Sequence, residues 1–151
     1  MDRAGEGALA VGVRVADCVP ILVGDEETGD VAAIHAGWRG VEAGIVRAAM
    51  DALRGRSPVA AIGPCIEACC FEVGVDVAAR LGFVVREERG KALVDLRAAV
   101  RAQLRRCGLP DDCIDDVRGC TKHEARFHSF RRDGANSGRM LAAIATRPLS
   151  R

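Results

Sequence analysis

The sequence has few aromatic residues, no tyrosine and no long apolar run. Aromatic side chains make up 3% of its 151 residues, so the core must be built from Val, Ala, Leu and Ile. No stretch of about 18 apolar residues is present, which excludes a transmembrane helix. The N-terminus does not join a basic region to a long apolar block, so a secretory signal is not expected.

An excess of charge of either sign is also missing. The sequence has 22 Lys and Arg residues against 21 Asp and Glu residues, whereas a protein that coats nucleic acid needs a clear positive excess. Apolar residues make up 49% and charged residues 28%, a composition typical of a globular domain rather than a disordered chain. The length suits one core, and we expect a single domain over residues 1–151.

Seven cysteines are present, an odd number that cannot be fully paired within one chain. Without an export signal, a reducing cytoplasm is the expected compartment, where thiols stay free. Each cysteine is then a packing residue, a metal ligand or a nucleophile. The C-x3-C-C spacing of Cys65, Cys69 and Cys70 lacks the second knuckle of a zinc finger, and Cys113 and Cys120 are too far apart to form one. Packing is therefore the predicted role of Cys65, Cys69 and Cys70.

Hydrophobic periodicity and turn residues predict a mixed α/β fold in which helices pack against a mixed β-sheet. Asp95 is the predicted N-cap of the clearest amphipathic helix, and Gly108 is its predicted stop. The predicted helices are Val41–Leu53, 74–81 and Asp95–Cys107. The predicted strands are 8–15, Val19–Val23, Val31–His35, Val59–Ile62, Phe83–Val85, Ile114–Val117, Phe127–Phe130 and Met140–Thr146.

The second and third strands are predicted to form a hairpin around the polar turn 24–30. Cys18 precedes one strand of this hairpin, and His35 ends the other in the glycine-flanked loop H-A-G-W-R-G. If the strands pair about residues 26–28, Cys18 and His35 lie near the open end, within reach of one metal ion or of each other. Spacing alone leaves open the alternative that Cys18 is a packing residue and His35 is simply hydrogen-bonded.

Four blocks of this sequence resemble the YfiH/YlmD family, whose members have been called laccase-domain or polyphenol oxidase proteins, purine nucleoside phosphorylases and peptidoglycan editing factors. The blocks are A-D-C-V-P (16–20), H-A-G-W-R-G (35–40), G-P-C-I-E-A-C-C-F-E-V-G (63–74) and R-R-D-G-A-N-S-G-R-M (131–140). They follow the order of the family and cover almost the whole chain. The resemblance implies the YfiH-like α/β sandwich, a fold similar to that of a toxin deamidase.

The resemblance further implies an enzyme that holds one zinc ion with two histidines and one cysteine, to which Cys18 and His35 of this chain correspond. The implied reaction is phosphorolysis of purine nucleosides such as adenosine and inosine, with adenosine deamination and methylthioadenosine phosphorolysis alongside. Arg39 and either Arg131 or Arg132 are the expected ligands of anionic oxygens. Only three histidines are present, too few for the ligand set of a multicopper oxidase.

The chain departs from the family at its start. The family's other zinc histidine lies in a Q-V-H-G-type motif upstream of the A-D-C block, and this sequence has no such motif. We therefore expect an N-terminally truncated domain, the C-terminal portion of the family fold, with an exposed apolar face and a tendency to self-associate. His123 and His128 are the histidines that could replace the missing ligand.

Two alternatives to a zinc phosphorylase stay open at this stage. In the first, Cys18 is a nucleophile and His35 is its base, in an amidase or hydrolase that acts on amides or peptidoglycan precursors without a metal. In the second, the chain is an inactive or partner-dependent fragment. Such a fragment would hold less than one zinc ion per chain, because two ligands bind the metal far more weakly than three.

Overall fold

The computed structural model describes residues 9–55 and 57–146, and this part of the chain contains nine strands and five α-helices. The strands are β1 (Ala10–Val15), β2 (Val19–Asp25), β3 (Val31–Ala36), β4 (Pro58–Ile62), β5 (Glu72–Gly74), β6 (Val84–Glu88), β7 (Lys91–Val94), β8 (Ile114–Asp116) and β9 (Met140–Ala145). The helices are α1 (Trp38–Glu42), α2 (Ile45–Ala52), α3 (Val75–Leu81), α4 (Leu96–Arg106) and α5 (Phe130–Asp133). None of these helices is long and apolar enough to cross a membrane.

The strands are arranged in two sheets and a two-stranded ribbon. The central sheet has the order β3-β2-β4-β8, in which β4 and β8 run parallel and the other neighbours run antiparallel. A smaller sheet has the order β5-β7-β6, and β1 pairs with β9 to form the ribbon. The mixed α/β architecture predicted from the sequence is confirmed.

The two faces of β2 carry different neighbours. Val19, Ile21 and Val23 are fully buried and share one hydrophobic core with Val46 of α2 and Val100 of α4. Because side chains alternate along a strand, the residues between them point to the opposite face. The β1–β9 ribbon packs on the strands of the central hairpin, so this second face lies towards the ribbon.

The predicted hairpin is present, with β2 and β3 joined by a turn that the backbone of Asp25 and Gly29 closes with a hydrogen bond. The helix predicted over Val41–Leu53 is wrong in one respect, because the structure divides this segment into α1 and α2. Gly44, between them, has a φ of +79°, a left-handed conformation that glycine adopts without the cost of a Cβ. The apolar periodicity that predicts a helix continues across this residue and gives no sign of the break.

The prediction for α4 is confirmed at its first turn. The Asp95 carboxylate accepts a hydrogen bond from the backbone N–H of Ala98 at 2.8 Å, which satisfies one of the unpaired donors of that turn. Gly108, just after the helix, has a φ of +98° and provides the expected stop. These two signals are local, and they are sufficient to define the helix from the sequence.

The strand predicted over Phe127–Phe130 is wrong. Residues 127–129 are irregular, and Phe130 instead begins α5. The Ser129 hydroxyl accepts a hydrogen bond from the backbone N–H of Arg132 at 3.2 Å, a helix cap that apolar patterning does not reveal. The sequence also missed the short strands β5 and β7, and residue 8 of the first predicted strand lies outside the described residues.

Large apolar side chains are exposed at the ribbon and at the edge of the smaller sheet. Leu141 of β9 is 70% exposed, Leu9 before β1 is 61% exposed and Val85 of β6 is 62% exposed. Exposed apolar surface of this kind is expected from the sequence, and contiguous patches of it often mark association sites. Self-association of the chain stays a prediction.

Candidate functional site

The hairpin places Cys18 and His35 at its open end. Pro20 of β2 pairs with His35 of β3, and Val19 pairs with Ala36. Continuing the register by one residue places Cys18 opposite Gly37, and a Cβ on Gly37 would lie 3.0 Å from the Cys18 Sγ atom. Side chains two residues apart on a strand share a face, so the thiol and the imidazole lie on the same side of the hairpin, away from the helical core.

The environment of the two side chains differs. His35 is exposed, whereas Cys18 is half-buried. Burial and the negative charge of Asp17 raise the pKa of the Cys18 thiol, and the positive charge of Arg139 offsets part of that effect. In the absence of a metal ion, the thiol is therefore protonated at neutral pH.

Asp17 anchors the backbone that carries Cys18. It is buried and has a φ of +86°, a left-handed conformation that aspartate tolerates better than most residues. Its two carboxylate oxygens accept hydrogen bonds of 2.6 Å, one from the Thr121 hydroxyl and one from the backbone N–H of Arg131. Its carbonyl oxygen accepts a third bond from the backbone N–H of Ile66. The position of Cys18 thus depends on segments distant in sequence.

Cys18 and His35 fit zinc chemistry only in part. A thiolate sulfur and an imidazole nitrogen are preferred zinc ligands, but catalytic zinc sites use three protein ligands. Within residues 9–55 and 57–146, the one group of three or more possible ligand side chains lies elsewhere. Neither His123 nor His128 therefore forms a group of three possible ligands with Cys18 and His35 within the described residues.

Arg39 lies on α1, four residues after His35, and is exposed. Its guanidinium carbon stands 4.3 Å from the centroid of the Trp38 ring, and that of Arg80 stands 5.3 Å from the same centroid. Arg80 donates hydrogen bonds to Asp76 and Glu42, whereas within the described residues the exposed Arg39 guanidinium donates none. The stacking on Trp38 fixes this cation, and its N–H donors face solvent.

Arg131 and Arg132, in the fourth family block, donate hydrogen bonds to the protein itself, unlike Arg39. Arg131 donates from its side chain to the Glu72 carbonyl oxygen at 2.9 Å. Arg132 donates to the carbonyl oxygens of Thr121 and Phe127 at 2.9 and 2.8 Å and forms an ion pair with Asp133. Arg131 keeps free donors for a ligand, whereas Arg132 is mainly occupied in holding the loop after Cys120.

Four residues that were not predicted as a site come together from two segments that are distant in the chain. They are Cys69, Cys70, Cys120 and His123, whose ligand atoms all lie within 4.8 Å of one another; we call them the cysteine cluster. They could hold a metal ion. The predicted packing role is confirmed for Cys65 and Cys70, which are buried in the hydrophobic core, but not for Cys69, which is exposed.

The sequence contained two signals for the cysteine cluster, the adjacent pair Cys69-Cys70 and the C-x-x-H spacing of Cys120 and His123. Neither signal has the paired-knuckle spacing of a zinc finger. Only the tertiary structure shows that the two pairs of residues lie together. Burial of the sulfur and the neighbouring thiols raise the pKa of Cys69 to about 12. Thiols held this close do not ionise together unless a cation compensates their charge.

Comparison with known proteins gives a consistent picture. The sequence model of a family described as multi-copper polyphenol oxidoreductase laccase matches residues 4–147. A protein of Bacteroides thetaiotaomicron named purine nucleoside phosphorylase is 41% identical in an alignment of 148 positions that covers 87% of this chain and 55% of that protein. A protein of an unknown prokaryotic organism named adenosine deaminase RL5 is 40% identical over 90% of this chain and 58% of its own length.

The fold has a close structural counterpart. The crystal structure of the hypothetical protein YfiH of Bacillus licheniformis matches with a TM-score of 0.85 and 28% identity, over 92% of this chain and 58% of that one. The architecture described above is therefore that of the YfiH proteins. The chain spans little more than half the length of these relatives.

Proposed function

The chain belongs to the family described as multi-copper polyphenol oxidoreductase laccase, and we propose that it forms the C-terminal part of a zinc-dependent purine nucleoside phosphorylase. The proposed substrates are a purine nucleoside, such as adenosine or inosine, and phosphate. The observation that carries the proposal is the placement of Cys18 and His35 on one face at the open end of the hairpin. The name of the Bacteroides relative supports the reaction type.

In this proposal Cys18 and His35 are two of three zinc ligands, and the third comes from outside the described residues. A zinc ion bound there would act as a Lewis acid that orients and polarises an oxygen of the substrate. Asp17 is a positioning residue, because its bonds to Thr121 and Arg131 fix the backbone next to Cys18. The three histidines of the chain are too few for the copper chemistry named in the family description.

Phosphate would be bound by arginine. The Arg39 guanidinium is held against Trp38 with its donors free, and a planar guanidinium can donate two parallel hydrogen bonds to phosphate oxygens. Arg131 would add a second cation, since only one bond to the Glu72 carbonyl engages its side chain within the described residues. Phosphorolysis breaks the bond between base and sugar and transfers the sugar to a phosphate oxygen, so the cations would lie where the phosphate enters.

Adenosine deamination is the second candidate reaction, favoured by the 40% identity to the protein named adenosine deaminase RL5. A zinc ion lowers the pKa of its bound water to about 7, which provides a nucleophile for this hydrolysis. The metal-free hydrolase that the sequence left open is less well supported. Burial and Asp17 raise the pKa of Cys18, whereas a cysteine nucleophile needs a lowered one.

The deciding assay is phosphate-dependent release of hypoxanthine from inosine, with zinc measured on the same sample of the chain. The proposal predicts activity that requires phosphate, decreases in a chelator and is lost in Cys18→Ser and His35→Ala. Hypoxanthine release that survives the chelator would contradict a role for zinc, and amide hydrolysis in chelator would instead support the cysteine hydrolase. A zinc-free chain without activity, which gains neither zinc nor turnover when mixed with the N-terminal part of a relative, would contradict the proposal.

Arg39→Ala and Arg39→Lys separate phosphate binding from the metal site. We expect Arg39→Ala to raise the KM for phosphate by about 10-fold or more, since one charge-assisted bidentate contact contributes about 1.5–3 kcal/mol. Zinc content should stay unchanged, and Arg39→Lys should restore the KM only in part. The matched control is Arg47→Ala, an exposed arginine of α2 that pairs with Asp51.

A further inference from the structure

The cysteine cluster has the ligand types of a structural zinc site. Three cysteine sulfurs with one imidazole nitrogen form one of the common tetrahedral zinc ligand sets. All seven cysteines are free thiols in the structure, so none of the three sulfurs is engaged in a disulfide. The cluster is separate from Cys18 and His35, which belong to no group of three or more ligands within the described residues.

Three of the six distances within the cluster match the edges of a zinc tetrahedron. The Sγ atom of Cys69 lies 3.7 Å from that of Cys70 and 3.7 Å from that of Cys120. It also lies 3.6 Å from the Nδ1 atom of His123. Zn–S bonds of about 2.3 Å and Zn–N bonds of about 2.0–2.1 Å separate two sulfurs by about 3.8 Å and a sulfur from a nitrogen by about 3.6 Å. A disulfide would need the sulfurs at about 2.05 Å.

Two turns bring the four side chains together. In the first turn, the backbone N–H groups of Cys70 and Phe71 both donate to the Glu67 carbonyl oxygen at 2.9 Å. This tight turn directs the two adjacent cysteines to one point, whereas an extended backbone would direct them to opposite sides. The sulfur of Cys70 lies 3.3 Å from the Nε2 atom of His123, whereas Cys69 faces the Nδ1 atom, so the imidazole must turn to present one nitrogen to the ion.

The second turn carries the C-x-x-H pair. The backbone N–H of Glu124 donates to the Cys120 carbonyl oxygen at 2.9 Å, and the Cys120 N–H donates to the Glu124 carboxylate at 3.0 Å. A parallel bridge between Cys65 and Cys120 joins this turn to the first. The backbone fixes both turns, so the ligand positions do not depend on flexible side chains alone.

The surroundings suit a bound cation with three thiolates. Backbone N–H groups of Glu67, Lys122 and His123 face the Cys120 sulfur, and the positive charge of Lys122 lies near Cys70. Cys70 and Cys120 are buried, each 6% exposed, whereas Cys69 and His123 are exposed. A metal ion can therefore reach the cluster from solvent and bind the two buried sulfurs.

We propose that Cys69, Cys70, Cys120 and His123 bind a structural zinc ion that ties the turn after Ile66 to the turn after Cys120. All four protein ligands close the coordination sphere, so this ion takes no substrate. Its effect on the proposed active site is indirect. The clamped turn contains Thr121, whose hydroxyl donates to Asp17, the neighbour of Cys18.

The test uses the chain purified without a metal-chelating tag and carrying Cys18→Ser and His35→Ala, so that only the cysteine cluster can hold the metal. We expect one tightly bound zinc per chain. Cobalt should replace it and give the intense visible bands of a tetrahedral site together with thiolate-to-cobalt charge transfer in the near ultraviolet. Replacing one of three cysteines should reduce that charge transfer by roughly one third.

Loss of the ion is tested with Cys69→Ser/His123→Ala, because both residues are exposed and the substitutions should leave the fold intact. We expect this variant to lose the zinc and the cobalt spectrum while keeping its circular dichroism. Its melting temperature should no longer respond to a chelator, whereas that of the parent should fall. Cys113→Ser, outside the cluster, is the matched control and should behave as the parent.

Two results would overturn the proposal. One is a parent chain that binds neither zinc nor cobalt in reducing buffer while its circular dichroism shows a folded protein. The other is a tetrahedral cobalt spectrum that Cys69→Ser/His123→Ala leaves unchanged. Both results are independent of nucleoside phosphorolysis, so failure of this site and failure of the proposed function are distinguishable.

Discussion

The Asp17 carboxylate accepts a 2.6 Å hydrogen bond from the hydroxyl of Thr121, which lies 104 residues further along the chain. Both side chains are buried. Asp17 precedes the proposed zinc ligand Cys18, and Thr121 lies between the cysteine-cluster residues Cys120 and His123. This one bond therefore connects the proposed active site with the proposed structural metal site.

Replacing Asp17 by Asn should lower the free energy of unfolding by about 1.5–3 kcal/mol, because the variant loses charge-assisted bonds to Thr121 and to the Arg131 N–H. Asparagine tolerates the positive φ at this position as well as aspartate does, so backbone strain does not contribute. Urea denaturation measures the change. A double-mutant cycle with Thr121→Val should give a coupling energy above about 0.5 kcal/mol, and additive effects would contradict the connection.

Replacing Gly37 by Ala should weaken zinc binding at Cys18 and His35. The new Cβ would lie 3.0 Å from the Cys18 Sγ atom, so the thiol must shift by a few tenths of an ångström, which disturbs its position relative to His35. Gly37 has a φ of −77°, which alanine adopts without strain. We expect a lower zinc affinity and a lower kcat in the competent enzyme, measured by metal competition and inosine phosphorolysis.

Gly24→Ala is the control for this substitution. Its Cβ would make only ordinary contact, 3.5 Å from Ile144, at the far end of the same strand from Cys18. If both alanine variants reduce zinc affinity equally, crowding of the thiol is not the cause.

Replacing Arg97 by Met should lower the free energy of unfolding by about 3 kcal/mol. Arg97 is 3% exposed, forms an ion pair with Asp116 and donates to the Gly63 carbonyl oxygen at 3.1 Å. Its loss leaves a largely buried carboxylate without its main partner. Arg118 contacts the same carboxylate from a 70% exposed position, so Arg118→Met should cost less than about 1 kcal/mol. Equal costs in urea denaturation would show that burial of Arg97 is unimportant.

Acid should destabilise the protein in part through Asp25. The backbone N–H groups of Thr28, Ser57 and Glu27 donate to this carboxylate and lower its pKa. The ionised carboxylate is therefore stabilising above the unfolded-state pKa of about 3.9, and that stabilisation is lost as the pH falls through the lower folded-state value. Asp25→Asn should be less stable than the parent near neutral pH.

The gap between the urea midpoints of Asp25→Asn and the parent should narrow as the pH falls below about 4. The exposed Asp112 provides the control, since Asp112→Asn should leave the pH dependence of the midpoint unchanged. A constant gap between Asp25→Asn and the parent at all pH values would mean that the carboxylate charge is not the stabilising feature.

Much of the fold follows from signals that lie within a few residues of each other. The β2–β3 hairpin follows from two apolar segments and the polar turn between them, and α4 follows from its Asp95 cap, apolar periodicity and Gly108. The backbone conformation of a single residue is harder to predict from such local sequence signals. The positive φ of Gly44 divides a helix that periodicity predicts as continuous, and the Ser129 cap begins a helix where a strand is predicted.

The sequence by itself determined the family blocks, the α/β class and the position of Cys18 and His35 at the open end of one hairpin, since a single hairpin register relates those two residues. Only the tertiary structure decided the bond between Asp17 and Thr121 and the meeting of Cys69 and Cys70 with Cys120 and His123. These contacts join segments that are distant in the chain, and they depend on the bridge between Cys65 and Cys120. Spacing in a sequence determines which residues can share one turn or hairpin, but only packing of the whole chain decides which turns face each other.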